Sequence, residues 1–149
     1  MDDKCEIKEK IKEIRHLFSV YRNGIVSENL KNAGFPYKLI YGLQVPDLTR
    51  IAKDFNIDKQ LAIDLWKEKD IRECRLLACW LFPRDLQSEE IIDLIEDLKT
   101  YEEAEILNFR FLRFLPSPKL ILDYYNSHPA QNIYSDHALN LLKKSLEIS

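Results

Sequence analysis

Three glycines, three valines and two threonines stand against 22 leucines and 16 isoleucines in this chain, and that imbalance leaves little from which to build a sheet. Strands favour Val and Thr, and tight hairpins need Gly at positions of positive φ. Phosphate loops of the Rossmann and P-loop type need clustered glycines, and Gly24, Gly34 and Gly42 stand apart. Leu, Ile, Lys and Glu dominate instead. The expectation is an all-α fold, and a length of 149 residues makes a single domain spanning 1–149 the simplest organisation.

The N-terminal MDDKCEIKEK is acidic and polar, without the apolar run of a signal peptide. No stretch approaches the roughly 20 apolar residues that span a bilayer. Cys5, Cys74 and Cys79 are odd in number and lack CxxC spacing, so free thiols in a reducing cytoplasm are expected. His16, His128 and His137 lack ligand spacing, and neither a metal nor an organic cofactor is implied. A monomer is expected.

Apolar periodicity and caps divide the chain. Ile7, Ile11, Ile14, Leu17 and Phe18 form an i, i+3/i+4 stripe over about 3–20. A short helix over about 27–33 follows, stopped by Gly34 and Pro36. Residues 35–44 show no stripe and are expected to be a loop packed through aromatics. Pro46 opens the next helix, ending near 55, which closes an N-terminal helical region over 1–55. Asp58, Ser88 and Ser117 are candidate N-caps about 30 residues apart, and Asp70 and Thr100 form a second series at the same spacing. Thr100 and Glu103 have the capping-box pattern, with Glu103 expected to accept from the Thr100 N–H. Three helical hairpins follow, at about 58–82, 88–115 and 117–147. Leu76 to Phe82 is almost continuously apolar, as expected of a helix covered on more than one side. The cap spacing points to an α-solenoid of HEAT-like helix pairs.

The segments Gly42-Leu-Gln-Val-Pro-Asp-Leu-Thr-Arg-Ile-Ala-Lys53, Leu61-Ala-Ile-Asp-Leu-Trp66 and Ile71-Arg-Glu-Cys-Arg-Leu-Leu-Ala78 resemble the N-terminal half of the DNA alkylation repair proteins. These are HEAT-like glycosylases that excise alkylated, positively charged purines. The resemblance is good over about 27–81 and weaker beyond. It implies a short, divergent member, with fewer C-terminal repeats to wrap duplex DNA carrying alkylated bases.

The family places its activity in an aromatic-Asp-x-x-Asp segment and a basic residue after an Asn-Ile-aromatic step. Here the first is Thr100-Tyr101-Glu102-Glu103-Ala104-Glu105, with Tyr101 where Trp is usual and Glu105 at the second Asp. The second is Asn132-Ile133-Tyr134-Ser135-Asp136-His137, with His137 at the Arg position. The resemblance thus implies Tyr101 and Glu105 as catalytic residues and His137 as a DNA contact. Independently of family, Tyr101 and Glu105 are i, i+4 and share a helix face. An electron-rich ring can hold a cationic base, and a carboxylate one turn away can stabilise an oxocarbenium-like sugar. Arg110 and Arg113, expected later on the same helix, are candidates to meet phosphate. His137 lacks the bidentate fork of Arg. First-turn acids are also what the helix macrodipole favours, so the same residues suit a plain helix start. The alternative is a catalytically inactive repeat scaffold that holds a protein or nucleic acid without excision.

The formal charge of −3 hides an uneven distribution. Residues 85–105 carry a balance of −8, and residues 1–84 and 106–149 carry +3 and +2. If the acidic window faces away from a ligand, the remainder is basic enough for phosphate.

Overall fold

The apolar stripe at the N-terminus folds as expected into α1 (Asp3–Val20), with Ile7, Ile14 and Phe18 buried. The structure is a computed structural model that describes residues 3–148. Among the described residues eight further helices follow: α2 (Gly24–Asn32), α3 (Val45–Ala52), α4 (Lys59–Lys67), α5 (Arg72–Leu81), α6 (Ser88–Glu96), α7 (Tyr101–Arg110), α8 (Pro118–Ser127) and α9 (Ile133–Ile148). A 3-10 turn, Leu112–Phe114, lies between α7 and α8. Among the described residues there is no strand, only one isolated parallel bridge between Leu39 and Ile71. The fold is all-α.

The chain divides into two compact units, Met1–Phe82 and Pro83–Ser149. In the first, α4 and α5 pack as a hairpin, α3 lies on α5 and α1 on α4. All ten residues of α5 are buried, so the run after Leu76 is covered on every side. Trp66 and Trp80 are core residues, and the exposed His16 is not. In the second unit α6 packs on α8, and α7 on α9, which also touches α6 and α8. This is the pairing that successive helical hairpins make when stacked first helix on first and second on second.

Several boundaries shift because a neighbouring side chain satisfies the free N–H groups of the first turn. Helix α2 starts at Gly24, three residues before the expected position, since the Asn23 side chain accepts from Val26 N at 3.1 Å. Helix α3 ends at Ala52, and short i→i−3 bonds to Asp54 and Phe55 tighten the chain beyond it. Asp58 caps α4 as expected, accepting from Leu61 N at 3.1 Å. Asp70 does not cap α5. The bridge consumes that position: Leu39 N donates to Asp70 O and Arg72 N to Leu39 O, leaving Ile71 as the residue before the helix. The Asp70 carboxylate meets Lys38 at 3.6 Å on the surface instead. Gln87, rather than Ser88, precedes α6, and its N–H donates to Glu90 at 3.1 Å. Ser117 holds the position before α8 without a side-chain cap bond.

Candidate functional site

The site region begins at Thr100. Its Oγ1 accepts from Glu103 N at 3.0 Å, starting α7 with Tyr101 as its first residue. The Glu103 carboxylate reaches back before the helix, accepting from Lys99 N at 2.9 Å. Glu103 is fully buried, so this acid belongs to the helix start and not to a reactive surface. The next turn carries Glu105 outward, with its side chain 59% exposed.

The facing element is α9, which begins at Ile133 because Asn132 Oδ1 accepts from Ser135 N at 2.8 Å. Two bonds tie that start to the C-terminal end of α6. Ser135 Oγ donates to Ile95 O at 2.7 Å, and Asn132 Nδ2 to Glu96 O at 3.3 Å. Tyr125 on α8 donates its hydroxyl to the Glu96 carboxylate at 2.6 Å. Burial, and then this bond to an acceptor carboxylate, raise the Tyr125 pKa above the ordinary phenol value. Further along, Asn108 Nδ2 donates to Ser145 Oγ at 3.2 Å, holding α7 to the later turns of α9.

These anchors bring three of the five expected site residues together. The Tyr101 and His137 rings meet edge to face with centroids 5.1 Å apart, and His137 Nε2 lies 3.4 Å from Glu105 Oε1. Tyr101 keeps 50% of its surface exposed. Tyr134, one helical turn before His137 and outside the five expected site residues, completes the cluster: its ring meets that of Tyr101 at 5.0 Å, again edge to face. The Asn-Ile-aromatic step and its i, i+3 spacing to His137 were the available signal.

Arg113 is placed elsewhere. Helix α7 ends at Arg110, and Phe111 (φ −133°, ψ −63°) leaves the helical conformation. Arg113 therefore sits in the 3-10 turn, not on the helix of Tyr101 and Glu105, and its Nε donates to Phe109 O at 2.9 Å. The Arg113 guanidinium lies against the rings of Phe109 and Phe114, not against Tyr101 or His137.

The acidic window is partly committed to structure. Glu90 and Glu103 accept backbone N–H groups, Glu96 takes the Tyr125 hydroxyl, and Glu105 faces His137. Ile91, Leu94 and Ile95 form the buried side of α6, opposite the exposed Glu89 and Asp93. Cys5, Cys74 and Cys79 are free thiols, the last two buried. No group of three His, Cys, Asp or Glu side chains among the described residues is arranged to hold a metal ion. No helix among the described residues is long and apolar enough to cross a membrane.

A family model described as DNA alkylation repair enzyme matches residues 19–105. The match runs from the end of α1 through Tyr101 and Glu105 and stops before Arg110, Arg113 and His137. No curated protein and no solved structure matches the chain. Because the matched span is more than half of the 149 residues and includes two members of the aromatic–acid cluster, the chain belongs to the DNA alkylation repair enzyme family.

Proposed function

We propose that this protein binds duplex DNA carrying alkylated bases over the Tyr101–Glu105–His137 cluster and hydrolyses the N-glycosidic bond of cationic N-alkylated purines. The observation that supports the reading is the meeting of an exposed aromatic ring, an exposed carboxylate and an imidazole within ring-contact and ion-pair distance. Alkylation at a purine ring nitrogen gives the base a positive charge. The Tyr101 ring, flanked by Tyr134, attracts that charge by a cation–π contact of about 0.5–2 kcal/mol. As the bond to the sugar breaks, positive charge develops on the sugar, and Glu105 opposes it from one helical turn away. Water completes the hydrolysis. Arg110 and Arg113 serve the phosphate backbone.

The test is release of 7-methylguanine or 3-methyladenine from methylated duplex DNA. Glu105→Gln keeps the shape and removes the charge, and is expected to slow excision by about 100-fold, the scale for losing one electrostatic stabiliser of a transition state. Excision by Glu105→Gln at the wild-type rate removes that residue from the mechanism. The His137–Glu105 approach favours a second reading, since the protein's own imidazole stands 3.4 Å from the carboxylate. On that reading the chain is a helical scaffold that holds nucleic acid or a protein without excision, and wild-type protein releases no base.

A further inference from the structure

Beyond the aromatic–acid cluster, the second unit carries a run of alternating guanidinium groups and phenyl rings. The Arg84 guanidinium lies 4.7 Å from the centroid of Phe114. That of Arg113 lies 4.6 Å from Phe114 and 4.7 Å from Phe109. Arg110 is 5.9 Å from Phe109. Phe109 and Phe114 are 44% and 38% exposed, an unusual placement for large apolar rings. Among the described residues neither Arg84 nor Arg113 has a carboxylate within ion-pair distance, although Asp85 adjoins Arg84 in the chain.

This arrangement has a physical consequence. A guanidinium held against a ring keeps its full charge, and the N–H donors it does not direct at the ring stay available to an acceptor. Arg113 spends only Nε, on Phe109 O. The rings thus fix the two cations in place without neutralising them, which a carboxylate partner would do. Preordered, uncompensated guanidinium edges match phosphate oxygens in charge and geometry. Position names the source of the phosphate. Tyr101, Glu105 and Phe109 are successive i+4 positions, all exposed, and at 1.5 Å per residue Phe109 lies about 12 Å along α7 from Tyr101. That is about three to four base steps of a nucleic-acid strand at 3.4 Å each.

We propose that Arg84 and Arg113, held by Phe109 and Phe114, form a phosphate-binding ladder that grips the nucleic-acid backbone about three to four nucleotides from the Tyr101–Glu105 position. The register rests on the reading of that position as the site of the damaged base, whereas the ladder itself stands on its own contacts.

The test is the salt dependence of binding of a short fluorescein-labelled DNA duplex, followed by anisotropy between about 50 and 200 mM salt. Each phosphate contact contributes about 0.9 to the slope of log K against log salt, so Arg84→Gln/Arg113→Gln is expected to flatten it by about 1.8. Phe109→Leu/Phe114→Leu keeps both charges and loosens their placement. It is expected to weaken binding several-fold with the slope nearly unchanged, and Arg84→Lys/Arg113→Lys is expected to behave likewise. Circular dichroism establishes that each variant is folded. An unchanged slope in the Gln double variant overturns the ladder, as does the absence of wild-type binding at low salt. Polyglutamate binding as tight as that of DNA overturns it too, by making the surface a general anion patch. Glu105→Gln separates the two ideas: it should lose excision and keep the wild-type slope. A ladder that passes while no base is released leaves the excision reading, not this one, refuted.

Discussion

Glu73 is fully buried, and its two oxygens accept from Tyr41 N and Gly42 N at 3.0 Å and from Leu43 N at 3.4 Å. Arg72 donates to the same carboxylate at 2.6 Å and to Leu43 O at 2.9 Å. A loop with no repetitive backbone pairing is thus satisfied by one side chain from α5, as buried N–H groups require. Gly42 makes the approach possible: its φ is +85°, and a Cβ there would lie 2.2 Å from Asn23 O. Tyr37 and Tyr41 are buried, as the aromatic content of the loop suggested, but the acid does the pinning. Arg75, also fully buried, lies 3.7 Å over the Trp66 ring and donates to Trp66 O at 2.9 Å. The prediction at this scale is that Glu73→Gln costs about 3 kcal/mol in urea unfolding, because an amide NH₂ would face backbone donors and Arg72 would lose its counter-charge. A loss under about 1 kcal/mol would mean that the loop holds by packing alone.

Between elements, the site depends on how α9 is seated. His137 meets Tyr101 and Glu105 because α9 starts at Ile133, and that start is set by Asn132 as cap and by the Ser135–Ile95 bond. Ser135 is fully buried, so its hydroxyl cannot exchange this partner for water. Ser135→Ala is expected to cost about 1–2 kcal/mol, the price of leaving a buried carbonyl without its donor. The same change should lower excision more than Ser145→Ala, which acts at the far end of α9 where Asn108 is held. Equal effects of the two variants on excision would show that the seating of the α9 start does not tune the site.

For the molecule as a whole, a charge of −3 says little about an anionic partner, because charge of opposite sign is segregated. Acids collect on α6 and the start of α7, several of them bonded internally, while Arg84 and Arg113 stand uncompensated. Global stability should also respond to alkali through buried acids that hold their protons. Burial, with a smaller effect from Glu68, pushes the Cys74 thiol from 9.0 up to about 12. Tyr125 is shifted in the same direction by burial and by Glu96. Between pH 9 and about 12 the unfolded chain releases the Cys74 proton and the folded one keeps it. The stabilisation is therefore complete below pH 9 and is lost as pH rises through that window. The melting temperature is expected to fall from pH 9 to pH 11, less steeply in Cys74→Ala and in Tyr125→Phe. Identical slopes in all three proteins would exclude these two groups as the source.

The sequence by itself determined the helical class, the places of most elements and the family, because apolar period, Pro and capping residues act over a few neighbours and need no knowledge of the fold. It also marked Tyr101, Glu105 and His137 by their positions in a motif. What it left undecided required partners distant in the chain. Asp70 is a good cap by residue type, yet the Leu39–Ile71 bridge removes it from that role. Arg113 continues a helical pattern, yet the chain breaks at Phe111. Tyr134 is the aromatic of the Asn-Ile-aromatic step, yet its part in the cluster emerges only when α9 is laid against α7 and its ring reaches Tyr101. The rings of Phe109 and Phe114 become a scaffold for arginine only when residue 84 is brought beside residue 114. Apart from the break at Phe111, hydrogen bonds and ring contacts between residues 30 or more apart decide these points, and a local pattern does not encode which distant group arrives.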